Sequence, residues 1–180
     1  WSLFEYASRQ HTCPEIGLLA GGRLNVSDLG PLGVQLHNSM TLYHCLNNYI
    51  QTVGRYSSHA RFWLESDGDT LWFCRQGIDL ILLGRDQVEQ FTVQLMIRIV
   101  QLATGPDWMP SRIRIQATSG QTFREYPLFD TSEIESRFSI TAVQIPLYPG
   151  LSSLIPAKLA RSGPQNRDLR IESRRKALLC

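Results

Sequence analysis

Two runs of alternating residues, His59 to Glu65 and Thr70 to Arg75, flank Ser66-Asp67-Gly68-Asp69. This arrangement restricts the fold most, because period-two alternation around an Asp-Gly turn marks a β-hairpin. With all four polar residues placed in the turn, Glu65 faces Thr70, Leu64 faces Leu71, Trp63 faces Trp72 and Phe62 faces Phe73. Side chains alternate across a strand, so Phe62, Leu64, Leu71 and Phe73 share one face and the two tryptophans share the other. Large apolar groups on both faces imply a hairpin covered on both sides. One cover is the core; the second is a helix, a partner or a ligand.

The flanking segments change period to that of a helix. Ser2 to Gln10 is read as a short helix, and Thr12-Cys13-Pro14-Glu15 as the start of another that stops at Gly21-Gly22. Asp28-Leu29-Gly30-Pro31-Leu32-Gly33 reads as a turn-rich connector. Ser39 or Thr41 then caps a helix whose Leu42, Leu46, Tyr49, Ile50 and Val53 form one face, with Gly54 as terminator. After a short strand at Ile78 to Leu83, Gly84-Arg85-Asp86 introduces the longest helix, stopped by Gly105-Pro106. Its stripe is Val88, Phe91, Leu95, Ile99 and Leu102, with Gln94 off it. On that facing, Leu95→Asp is expected to destabilise more than Gln94→Asp. Arg112 to Ala117 and Ser139 to Pro146 read as strands, and Gln121 to Phe129 as a short helix interrupted at Pro127. The expected class is α+β, a mixed or antiparallel sheet that includes the hairpin and is covered by helices.

Composition excludes several functions. Hydrophobic residues make up 43% and charged residues 19% of the 180, enough for a sizeable core and too little charge for general disorder. No apolar run is long enough to span a membrane. The net charge of +2 hides a partition: from Lys158 onward seven basic residues stand against two acidic, while 1–157 hold 11 basic and 14 acidic. The body is thus no electrostatic match for nucleic acid, and only the tail can be. Trp1 stands where Met is expected, which reads as an excised or renumbered fragment, and no charged-then-apolar leader marks it for secretion. Cys13, Cys45, Cys74 and Cys180 follow no zinc or redox spacing and read as buried reduced thiols in a reducing cytosol, with disulfides left as the alternative.

Signs of catalysis are missing from the sequence. His11, His37, His44 and His59 are scattered without metal-ligand spacing, and Asp67 and Asp69 read as turn formers. No G-x-S-x-G elbow, Walker A loop or G-x-G-x-x-G run occurs. No enzyme activity, metal or cofactor is expected. The tryptophan pair carries the site reading. A cross-strand aromatic pair gains about 0.5–1.5 kcal/mol beyond burial, so structure alone explains it. The alternative makes Trp63 and Trp72 the apolar wall of a ligand pocket, with Arg61 on the same face holding an anionic group. The candidate ligand-binding residues are therefore Arg61, Trp63 and Trp72, with Trp72 expected to be partly accessible.

An ordered set of short motifs runs from Cys13 to Pro156. Pro14, Gly17 and Leu18 come first, then Leu29, Gly30, Leu32 and Gly33, then Ser39, Thr41 and Leu42 opening a helix. "GPDWMPSRIRI", "EYPLFD" and "ITAVQIPLYPGLSSLIP" follow. Together these resemble the regulatory, arabinose-binding-like N-terminal domain of one branch of the AraC-type bacterial transcriptional regulators. Two positions depart from that pattern: Cys45 stands near an alanine position and Asp130 at a glycine position.

The resemblance implies a cytoplasmic sensor domain over 1–157 and a basic linker over 158–180, leading to a C-terminal pair of helix-turn-helix motifs absent from this chain. Its partners would be a small-molecule effector of unknown identity and DNA, the latter only through the missing domain. No membrane contact is implied, and a homodimer stays open. Two other readings remain at this stage: a dimerisation module without a ligand, built on the long-helix stripe or the tryptophan face, and an enzyme whose site the sequence does not reveal.

Overall fold

A computed structural model describes residues 13–55, 60–77, 84–117 and 120–146, together with Tyr6. The readings made for Ser2 to Gln10, His11, His59, Ile78 to Leu83 and 158–180 lie outside the described residues.

Among the described residues, five α-helices and five strands follow in the order α1 (Ile16–Gly22), α2 (Pro31–His37), α3 (Leu42–Val53), β1 (Ala60–Asp67), β2 (Thr70–Gly77), α4 (Arg85–Thr104), β3 (Arg112–Arg114), α5 (Gln121–Arg124), β4 (Glu133–Glu135) and β5 (Thr141–Ile145). The strands form one open sheet in the order β1-β2-β5-β3-β4. All neighbours are antiparallel except β3 and β4, so the sheet is mixed. The class is α+β, as the alternation of periods implies.

Local chemistry sets most of the boundaries. Thr41 is extended and its Oγ1 accepts the His44 N–H, so it is Thr41, not Ser39, that caps α3. Gly105, at φ 98°, ends α4 in a conformation that favours glycine. The hairpin register differs from expectation by two residues. Asp67 pairs with Thr70, which leaves Gly68-Asp69 as the turn, with Gly68 at φ 60°. Ser66 and Asp67 look like turn residues but continue the ladder. An even shift keeps each residue on its face and changes its partner: Trp63 now faces Cys74, and Trp72 faces Glu65.

The segment read as a connector is in fact a 3₁₀ turn, Val26–Leu29, followed by α2. Pro31 sits in the first turn of α2, where its missing N–H costs nothing. Gly33 lets the backbone approach: a Cβ there would lie 2.2 Å from the Val26 carbonyl oxygen. The strand β4 also went unread, being three residues long with charged ends.

One sheet face and the helices enclose the main core. Phe62, Leu64, Leu71, Phe73, Ile113, Val143 and Ile145 meet Leu46, Tyr49, Val93, Met96, Ile97 and Val100. The Tyr49 ring lies edge-on to Phe62 at 5.0 Å and to Phe73 at 5.9 Å. Glu89 of α4 reaches the same sheet face, where its Oε1 is 2.5 Å from Arg75 Nη1 and its Oε2 accepts the Thr141 hydroxyl. All three residues are buried.

The expected stripe on α4 is corrected. Val88 and Ile99 are buried, but Phe91, Leu95 and Leu102 are only partly so, whereas Gln94 is 1% exposed. The helix lies between the sheet and α1 and is buried nearly all round, so its polar residues also face protein. Gly17 and Gly21 of α1 press against it: a Cβ on Gly17 would lie 2.4 Å from the Gln87 carbonyl oxygen, and one on Gly21 2.6 Å from Gln94 Cβ. At that seam Gln90 Oε1 accepts the N–H groups of Gly17 (3.1 Å) and Leu18 (3.2 Å), and its Nε2 donates to the Pro14 carbonyl at 2.8 Å. Gln87 Oε1 accepts the Gly17 N–H as well. The side chains of α4 thereby satisfy the donors that the start of α1 leaves open.

Candidate ligand-binding site

Alternation along the hairpin puts Arg61, Trp63 and Glu65 on the sheet face away from the main core, beside Trp72 and Cys74 of β2. Trp63, Trp72, Cys74, Ile140 and Ala142 form a second apolar cluster there. Trp63 Nε1 donates to Glu65 Oε2 at 3.1 Å, so that indole is both packed and hydrogen-bonded.

A ladder of charge covers Trp72. The Arg114 guanidinium lies 4.0 Å from the ring centroid and that of Arg112 5.4 Å. Arg114 also sits 5.2 Å from the Phe138 ring, between two aromatic side chains. Glu135 locks both arginines, accepting from Arg112 Nη2 at 2.5 Å and from Arg114 Nε at 3.0 Å. Partial burial pushes the Glu135 carboxyl up, but those hydrogen bonds and the two positive charges outweigh it and hold it below the usual carboxylate range.

This covering corrects one expectation. Trp72 is 1% exposed rather than partly accessible, because planar guanidinium groups lie against its ring. Its indole N–H is buried with no hydrogen-bond partner.

A cleft of about 320 Å³ opens between the end of α3 and the start of β1. Ile50, Val53, Phe62 and Trp63 supply apolar lining, and Gln51 and Arg61 supply polar groups. The structure therefore brings Arg61 and Trp63 to one opening and leaves Trp72 outside it, in the cluster behind Trp63. The contribution of α3 was not legible as site chemistry, since Ile50 and Val53 read only as a buried face.

The buried thiols Cys45 and Cys74 offer no second chemistry. Burial pushes Cys45 up to about 11 despite a hydrogen bond from Ser39. Burial also raises Cys74, with Glu65 adding to the effect and Arg114 opposing it. Such thiols stay protonated and unreactive near neutral pH. Among the described residues, no three His, Cys, Asp or Glu side chains group as metal ligands, and no helix is long and apolar enough to cross a membrane.

A search of the curated proteins finds no match. The family model described as the arabinose-binding domain of AraC transcription regulators, N-terminal, matches residues 1–135 of the 180. That span takes in α1 to β4, the hairpin and the α3–β1 cleft. By sequence, then, the chain belongs to the family of N-terminal arabinose-binding domains of AraC transcription regulators.

Proposed function

We propose that this chain is the effector-sensing half of an AraC-type bacterial regulator and that its effector binds in the α3–β1 cleft. The observation that carries this reading is the cleft itself, whose about 320 Å³ lies at the lower end of small-ligand sites. Trp63 and Phe62 border it but are almost wholly buried, at 2% and 8% exposed, and Arg61 brings a charge suited to an anionic group. Trp72 backs Trp63 in the same cluster and fixes where that indole can sit. Sensing requires that the effector favour one arrangement of this domain over another. Residues 1–157 form the sensor and 158–180 the basic connection to a helix-turn-helix half outside this chain. DNA is then bound through that half, in the cytoplasm.

The test is a thermal-shift screen of the full chain against small metabolites, headed by arabinose because the family description names it. A ligand at 100 times its Kd adds about 2.7 kcal/mol of stability, a readily measured rise in Tm. Arg61→Gln should remove most of that rise, measured against the variant's own Tm without ligand. A screen in which no compound stabilises the chain, or in which Arg61→Gln leaves the rise intact, rejects the cleft.

A further inference from the structure

A second cleft lies where the end of α1 meets the last turns of α4. It measures about 410 Å³ and is lined by Arg23, Asn25, Arg98 and Gln101 above an apolar floor that includes Leu24 and Leu102. Two guanidinium groups share it and no carboxylate lines it among the described residues.

The two arginines are held differently. Arg98 is fixed: its Nη2 donates to the Gly22 carbonyl at 2.6 Å and its Nη1 to Gln101 Oε1 at 3.3 Å. Gln101 in turn donates to the carbonyls of Pro106 (2.9 Å) and Trp108 (2.8 Å), so its amide cannot swing away. A guanidinium carries five N–H donors, and Arg98 Nε is buried with no hydrogen-bond partner. Arg23 is exposed, on the residue that follows α1. Asn25 uses its Oδ1 to cap Ser27 N–H at 3.0 Å, which leaves its amide N–H₂ as a further donor.

We propose that this cleft is a binding site for a small amphipathic carboxylate, its headgroup held by Arg23 and Arg98 and its apolar body on Leu24 and Leu102. A guanidinium fixed beforehand loses little freedom on binding, and paired donors match a carboxylate's two oxygens. Apolar floor and cationic rim together select such a molecule over a bare inorganic anion. The site is separate from the α3–β1 cleft and does not depend on it.

The experiment titrates hexanoate, and in parallel inorganic phosphate, into the ¹⁵N-labelled full chain while amide and arginine Nε–H resonances are followed. Hexanoate should shift Leu24, Val26 and the Arg98 Nε–H saturably, and phosphate should not. Arg23→Gln removes one charge-assisted contact and should weaken hexanoate about tenfold. Arg23 is exposed and its side chain makes no hydrogen bond or ion pair among the described residues, so this variant keeps the test valid if Arg98→Gln fails to fold. Arg61→Gln should leave the titration unchanged. The proposal is overturned if no saturable shift occurs, if phosphate moves the same signals equally, if Arg23→Gln binds as well as the parent, or if Arg61→Gln abolishes binding.

Discussion

The two faces of the sheet use the same chemistry in opposite surroundings. On the inner face Arg75 and Glu89 pair under α4, with side chains 7% and 3% exposed. On the outer face Arg114 and Glu135 pair across the top of Trp72, with 17% and 20% exposed. Inside, the ion pair interrupts an apolar core and must be complete, because each charge has given up its water. Outside, the arginines act as a lid: their planes cover an indole while their edges keep partners and some solvent. An ion pair in this fold is thus a constraint on one face and a roof on the other.

The contrast breaks most sharply at Glu89. Glu89→Ala strands the Arg75 charge and should cost about 3–5 kcal/mol, read as a lower urea midpoint. Replacing both partners with apolar residues, Arg75→Met with Glu89→Leu, should recover most of that loss. A double variant as unstable as the single one would mean that the pair itself, and not the isolated charge, sets the cost. On the outer face Arg114→Ala should cost only about 1–2 kcal/mol, the scale of a cation–π contact with its hydrogen bond. Hydrogen exchange of the Trp72 indole N–H should speed up at the same time, as the roof is opened. Unchanged exchange would show that Arg114 is not what covers the ring.

The smallest effect is a matter of pH. The folded state holds the Glu135 carboxyl below its ordinary value, so the unfolded chain takes up its proton first as pH falls. The stability this supplies is present above the usual carboxylate range and is lost as pH drops through the folded value. Glu135→Gln should therefore lower stability at neutral pH and flatten the acid limb of Tm against pH. An acid limb identical to the parent's would remove Glu135 from the account.

How much of this was legible depended on which side of a residue met water. Period-two alternation placed both hairpin faces correctly, because parity survives a register error. The identity of each cross-strand partner did not survive, since polar Ser66 and Asp67 extend the ladder beyond the apolar run. The stripe on α4 was misread for a physical reason. Gln87, Gln90 and Gln94 are buried against glycines, and a hydrophobicity pattern cannot separate a polar residue facing protein from one facing solvent. At the candidate site, strand parity alone put Arg61 and Trp63 on one face of the sheet. The covering of Trp72 was not, because Arg112, Arg114 and Glu135 lie 40 to 63 positions further along the chain and meet only in the folded sheet.

The seam between α1 and α4 also sets an order in time. The donors at the start of α1 are satisfied by Gln87 and Gln90, 70 and 73 positions later. A seven-residue helix is too short to persist alone in water. At synthesis rates of about 5–20 residues per second, α1 emerges roughly 4–14 s before the side chains that complete it. It must therefore wait as unstructured chain and dock after α4 has formed. Because so distant a contact is closed late, the α1 amides should exchange with solvent through opening of this seam, without unfolding of the sheet.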